Sequence, residues 1–222
     1  MSKKKQEYTF WNFRETELYK SLKRELTPPS ILSTHQFPAN HTKDHISDLL
    51  RGGIFYESHT LLQFYNDLPK EGMILDIGAN IGNHQMMFNQ LFPGRRIFGF
   101  EASPLNYYHL HKNTKNYPNT TNICVGLGDE RSLNYITHFY ENMGGSGIDV
   151  IGKEGMAEQV DVEGFEMNVF KGAHDTLKKH KPVIWVEDFE YVKDYNNSAV
   201  KYLIDEFGYS MINSSECNYL LK

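Results

Sequence analysis

The string Asp76-Ile77-Gly78-Ala79-Asn80-Ile81-Gly82 carries the first chemical signal in the chain. It follows the apolar run Met73 to Leu75 and precedes a helical stretch, so it sits where a strand hands over to a helix and an α/β sheet presents its ligands. Gly78 and Gly82 let the backbone turn tightly and approach a ligand whose space a side chain would occupy. Asp76 is placed to accept hydrogen bonds from a cationic amino group or a ribose. The string departs from the dinucleotide fingerprint G-x-G-x-x-G, because Asn80 stands where the second glycine would admit a pyrophosphate. An asparagine crowds a diphosphate but not a thioether nucleoside. The turn Gly78, Ala79, Asn80 and Gly82 therefore points away from NAD and toward S-adenosylmethionine. Glu101, in Phe100-Glu101-Ala102-Ser103-Pro104, ends the next strand some 20 residues past the glycines, where an acid grips both hydroxyls of a cofactor ribose. Ala102 and Ser103 share that edge, and Ser103 before Pro104 also reads as a helix cap.

A second group of residues bears on an acceptor. Transfer of a methyl from a sulfonium to oxygen is an in-line displacement in which positioning does much of the work, and a hydroxyl needs a base or a metal to become a competent nucleophile. Asp161 and Glu163 end the fourth expected strand, and Glu187 and Asp188 the fifth. Asp161, Glu187 and Asp188 would offer oxygen ligands to Mg²⁺ or Mn²⁺. Without a metal, Asp161 or Glu163 would serve as base if burial raised its pKa, or would only cap the helix that follows. His84, on the first turn after the glycines, is either a base aimed at the transferred methyl or simply a polar residue of a helix start. His138, beside Phe139 and Tyr140, would line the cleft, whereas His109 and His111 read as surface residues of a helix.

The elements that must hold these residues follow from the pattern along the chain. Strands are expected at Met73 to Ile77, Arg96 to Phe100, Asn122 to Gly126, Val160 to Val162 and Val183 to Val186. Helices are expected at Asn83 to Leu91, Leu105 to Asn116, Glu166 to Lys179 and Asn197 to Phe207, with a closing hairpin from Tyr209. Alternation of this kind predicts an α/β fold with a parallel sheet covered by helices on both faces. Residues 1–70, with helical stretches at Tyr8 to Leu26, Asp44 to Leu50 and Glu57 to Leu68, form a helical N-terminal extension to a Rossmann-like domain at 71–222.

The 222 residues suit one domain of this size, and 40% hydrophobic with 23% charged residues is ordinary for a globular protein. A net charge of −5 argues against a general nucleic-acid binder, with Lys3-Lys4-Lys5 read as a solvated terminus. No stretch is apolar enough to span a bilayer and no secretory signal is visible, so a cytoplasmic location is expected. Cys124 and Cys217, without metal spacing, read as reduced, partly buried thiols. Oligomeric state is not legible.

The motifs DIGANIG, FEASP, Asn142-Met143-Gly144-Gly145-Ser146, Asp161-Val162-Glu163-Gly164-Phe165-Glu166 and Lys171-Gly172-Ala173 together resemble the FkbM family of methyltransferases over roughly Arg51 to Glu187. That resemblance implies a class I methyltransferase fold with a mostly parallel seven-stranded sheet, S-adenosylmethionine as cofactor, and O-methylation of a small molecule or of a sugar in a glycan. It also implies that Asp76, Gly78, Asn80 and Glu101 hold the cofactor, that Gly128-Asp129 lies near its adenine, and that Tyr56-Glu57 lies near its amino-acid end. The chain departs from the family in the short run Ile148 to Gln159 before Asp161. RNA ribose methylation, with Lys153 the only nearby lysine of the kind it needs, and a catalytically inactive cofactor-fold binding protein are the alternatives; an NAD oxidoreductase is disfavoured by Asn80.

Overall fold

The apolar runs spaced between helices become neighbouring strands of one sheet in the computed structural model, which describes residues 17–30, 32–34, 44–130, 159–160 and 164–222. Strands β1 (Ile74–Ile77), β2 (Ile97–Phe100), β3 (Thr120–Ile123), β4 (Gln159–Val160) and β5 (Ile184–Glu187) are followed by a hairpin of β6 (Met211–Ser215) and β7 (Asn218–Leu221). Among the described residues the order is β3-β2-β1-β4-β5-β7-β6. The first five are parallel, and β7 runs antiparallel to both β5 and β6. All four residues of β1 are buried, as a central strand covered on both faces requires. Chain direction across the sheet reverses between β1 and β4, and ligands of open α/β sheets bind outside the strand carboxyl ends at such a point.

Helices α1 (Glu17–Glu25), α2 (His45–Arg51), α3 (Ser58–Phe64), α4 (Asn83–Leu91) and α5 (Pro104–Thr114) precede β3. After β4 come α6 (Glu166–Gly172), α7 (His174–His180), α8 (Glu190–Lys193) and α9 (Ala199–Phe207). Two apolar clusters lie on the two faces of the sheet. One joins Leu61, Leu62 and Phe64 of α3 to Ile74, Met86, Ile97 and Trp185, and the other joins Val169, Phe170, Leu177, Val200 and Leu203 to Ile77, Ile184 and Val186. Phe64 is wholly buried and meets Trp185 edge-on, with centroids 5.6 Å apart. Each such side chain contributes roughly 1.5–3 kcal/mol by leaving water, so α3 is bound to the sheet by its own apolar face. Among the described residues no helix is long and apolar enough to cross a membrane.

The alternation of strands and helices with a parallel sheet is as the sequence predicts. Several bounds differ. The third strand is Thr120–Ile123 rather than 122–126, because it pairs residue for residue with Ile97–Phe100 and ends where β2 ends. The helix expected from Glu166 to Lys179 is two helices, broken at Ala173, whose ψ of 5° is not helical. The break follows a close approach: a Cβ on Gly172 would lie 2.2 Å from the carbonyl oxygen of Gly128. The helix expected from Glu57 begins at Ser58, with Glu57 itself left-handed at φ 53°. His109 is buried rather than on the surface, its Nδ1 2.8 Å from the Ser33 hydroxyl, while His111 is exposed as expected. Cys124 is exposed rather than partly buried, and Cys217 half-buried; both are free thiols.

The glycine of Lys171-Gly172-Ala173 thus sets how closely α6 seats on the backbone after β3. Because the obstructing atoms are backbone, Gly172→Ala is expected to destabilise the protein by about 1–3 kcal/mol, read as a lower urea midpoint at unchanged slope.

Candidate functional site

The turn after β1 alternates its backbone hand. Gly78, Asn80 and Gly82 have φ of 83°, 48° and 93°. Asparagine is one of the few residues with a side chain that tolerates this region, which accounts for its presence between two glycines. The turn is stapled to the end of β2: the amides of Gly78 and Ala79 both donate to Phe100 O at 3.0 Å. The amide of Asn80 donates to Glu101 Oε2 at 2.8 Å. The other oxygen of Glu101 accepts from the amide of Ser103 at 2.8 Å, and the Ser103 hydroxyl caps α5 through Asn106 N. One buried carboxylate therefore ties the turn after β1 to the turn after β2. Oε1 also accepts from Asn106 Nδ2 at 3.5 Å, so of the roughly four acceptor positions of the carboxylate the one left open is on Oε2. Burial pushes the Glu101 pKa up to about 7, against the Ser103 and Asn80 amides, with the Asp76 charge adding a smaller push upward.

Asp76 is wholly buried at the end of β1, and neither of its oxygens meets a donor in hydrogen-bonding geometry. Burial raises its pKa to about 6; the charge of His84 and the Gln85 amide oppose the shift. His84 is also buried. Its Nε2 lies 3.3 Å from Glu57 Oε2, and its ring meets Trp185 edge-on with centroids 5.1 Å apart. Burial lowers the His84 pKa, but the Glu57 hydrogen bond and the charges of Glu57, Asp76 and Glu187 outweigh it and the net shift is upward. For Glu57 burial likewise opposes the net shift, which is downward because of His84, Asn218 and the His59 charge.

Sequence reasoning missed the asparagines that dock the N-terminal segment here. Asn83 brackets the backbone of Tyr56, accepting from its N–H at 2.9 Å and donating to its carbonyl at 3.0 Å. Asn218, at the start of β7, donates to Glu57 Oε1 at 2.8 Å and accepts from Trp185 Nε1 at 2.6 Å. Asn113 of α5 donates to Ile81 O in the turn and to Ser33 O. The available signal was the density of asparagines at element ends, which a single sequence does not distinguish from ordinary turn chemistry. On the far side of the sheet, Gly128 is buried beneath Phe165 and Gly172. Asp129 Oδ1 accepts from Asn168 Nδ2 at 3.0 Å.

The acceptor-side residues fare differently. Asp161 and Glu163 lie outside the described residues, as do His138, the segment Asn142 to Ser146, and Lys153. Glu187 ends β5 half-buried. Asp188, a candidate metal ligand, is engaged within the fold: Oδ1 accepts from the amides of Glu190 and Tyr191, and Oδ2 from the Ser198 hydroxyl and the Val200 amide. Both oxygens are spent on fixing α8 and the start of α9. Among the described residues no three histidines, cysteines or acids are grouped to hold a metal ion.

The geometry is that of an α/β protein with a left-handed glycine turn stapled across the carboxyl ends of β1 and β2. Residues 159–221 match the model of the methyltransferase FkbM domain, which bears out over that stretch the family resemblance drawn from the motifs. The crystal structure of methyltransferase FkbM from Methylobacillus flagellatus KT is similar at a TM-score of 0.47 and 16% identity, covering 92% of this chain. The chain spans 57% of the length of that protein. No curated protein matches the chain.

The buried ionisable groups set how stability depends on pH. Asp76 and Glu101, raised in the folded state, hold protons that the unfolded chain releases near pH 4, so their contribution falls as pH rises through about 6 and 7. His84, also raised, adds stability that is full below 6.5 and is lost as pH rises through its folded value. Glu57 acts in the opposite sense only as pH falls below 4.5. The ligand-free protein is therefore expected to melt at a higher temperature at pH 5.5 than at pH 8. Asp76→Asn should remove on the order of 1 kcal/mol of that difference, as calorimetric scans at the two pH values would read out.

Proposed function

We propose that the chain is an S-adenosylmethionine-dependent methyltransferase of the FkbM type that methylates a hydroxyl of a sugar, a glycan or another small molecule. The observation that carries this reading is the Glu101 carboxylate, which fixes the left-handed turn at Asn80 while keeping an acceptor position open on Oε2. A diphosphate would have to pass the Asn80 side chain, and its charge would meet the acids Asp76 and Glu101. A nucleoside thioether carries no such charge. The antiparallel β7 between β5 and β6 supports reading the sheet as the seven-stranded class I methyltransferase fold rather than the dinucleotide order.

In this reading the bound cofactor supplies an electrophilic methyl on a positively charged sulfur. Glu101 would accept from a ribose hydroxyl through Oε2, and Asp76 would face the ammonium of the amino-acid end. The backbone of Gly78, Ala79, Asn80 and Gly82 passes beneath, Ala102 and Ser103 continue the ribose edge, and Gly128-Asp129 lie on the adenine side. Glu57, docked by Asn83 and Asn218, closes the amino-acid end, so residues 1–70 act as a cover. His84 keeps its proton on Glu57 and acts through it rather than as the base. Deprotonation of the acceptor falls to Asp161 or Glu163, which follow β4 in the sequence. A divalent ion is not part of this proposal, because Asp188 has no free oxygen to give it.

Calorimetric titration with S-adenosylmethionine and S-adenosylhomocysteine in EDTA tests the reading. Micromolar binding by the unaltered protein is expected, weakened at least tenfold by Glu101→Gln, since a hydrogen bond to a charged acceptor contributes about 1.5–3 kcal/mol. Binding should be followed by label transfer from the methyl-labelled cofactor to hydroxyls in a panel of oligosaccharides. Absence of cofactor binding by the unaltered protein overturns the reading.

A further inference from the structure

Beneath the turn, between α4 and the sheet, lies a polar group that the preceding reading does not use. Gln85 of α4 is wholly buried, and neither the oxygen nor the nitrogen of its side-chain amide has a hydrogen-bond partner. Both oxygens of its neighbour Asp76, and Oδ1 of Asn122 on β3, likewise lack a partner in good hydrogen-bond geometry, although the Gln85 amide lies near enough to Asp76 to oppose the rise in its pKa. Asp76, Gly99 and Asn122 stand side by side in register across β1, β2 and β3. A Cβ on Gly99 would lie 1.7 Å from Nε2 of Gln85 and 2.6 Å from Oδ1 of Asn122. The Gln85 amide thus occupies the place a side chain at 99 would take, in the gap flanked by Asp76 and Asn122. Its surroundings are fixed: Asn89 Nδ2 donates to Gln85 O and to Thr120 Oγ1, and Asn122 Nδ2 donates to Thr114 Oγ1. What remains soft is the terminal torsion of Gln85, which is broad. Rotation about it re-aims the N–H₂ group, and the amide already opposes the rise in the Asp76 pKa.

Resting on the cofactor reading above, we propose that Gln85 is a positioning residue that donates to Asp76 and holds its carboxylate ionised toward the cofactor's amino group, and that Gly99 is glycine to give that amide room. An unpaired buried amide beside an unpaired buried carboxylate is costly for both, and only their mutual contact relieves the two together. The other charged groups facing Asp76 are His84 on α4 and Glu101 after β2. His84 in turn faces Glu57 from the N-terminal segment and Glu187 from β5.

The test is the S-adenosylhomocysteine dissociation constant of Gln85→Met and Gly99→Ala relative to the unaltered protein at pH 6.5 and pH 8, with ligand-free melting temperatures alongside. Taking the ratio cancels the ligand's own titration. Without the donor, Asp76 holds its proton to higher pH, so for a rise of one pKa unit from about 6 the ratio is expected to be about threefold at pH 6.5 and close to one at pH 8. Gly99→Ala displaces only the end of a flexible side chain and should show the same pH-dependent ratio. Asn89→Leu, which removes bonds to Gln85 O and Thr120 without touching the Asp76 contact, should lower the melting temperature with a pH-independent ratio. A pH-independent ratio for Gln85→Met and Gly99→Ala, with the unaltered protein binding normally, overturns this inference and leaves the methyltransferase reading standing. No binding by the unaltered protein overturns both.

Discussion

The Glu101 carboxylate spans the ends of two strands, and the site on this protein is organised around that span. Its two oxygens take the amides of Asn80 and Ser103. The backbone of the glycine turn is therefore set by a side chain from the neighbouring strand rather than by its own residues. The bonds from Gly78 and Ala79 to Phe100 O run across the same seam. A left-handed asparagine stands at the centre of this arrangement, because an ordinary side chain there would pay for the strained backbone without the compensating tolerance. The cost of burying the acid is offset by charge-assisted hydrogen bonds that a neutral residue could accept only weakly.

Around this centre the protein keeps an unusual density of charge out of water. Glu57, Asp76, His84 and Glu101 are each nearly or wholly excluded from solvent and lie close enough to perturb one another. Glu57 pairs with His84 and accepts from Asn218, and His84 packs against the aromatic walls of Trp185 and Phe88. Asp76 has no such opposite charge in contact and lies beside the buried amide of Gln85.

Much of this was legible before the structure. The glycine string, the acid after the second strand and the alternation of periods depend on local backbone requirements, which sequence spacing reports directly. The start of α4 and the capping of α5 by Ser103 followed from the same local rules. What was not legible depends on residues far apart in the chain. The break at Ala173 is dictated by the Gly128 carbonyl, which lies 44 residues before Gly172. The burial of His109 depends on Ser33, 76 residues earlier. Asp188 looks like a candidate ligand by position, yet its role is set by the return of the chain through Ser198 and Val200. Propensity and period carry no information about such returns.

The reversed strand β7 has a consequence for how the protein is made. Asn218 reaches back across 161 residues to hold Glu57, and Trp185 is locked by the same amide. That contact therefore cannot form on a nascent chain until residue 218 has left the ribosome. The glycine turn and Glu101, only 21 residues apart at their point of contact, can pair far earlier. The two halves of the site are thus separated in time of assembly, a local half formed at low loop-closure cost and a distant half delayed by the topology of the sheet.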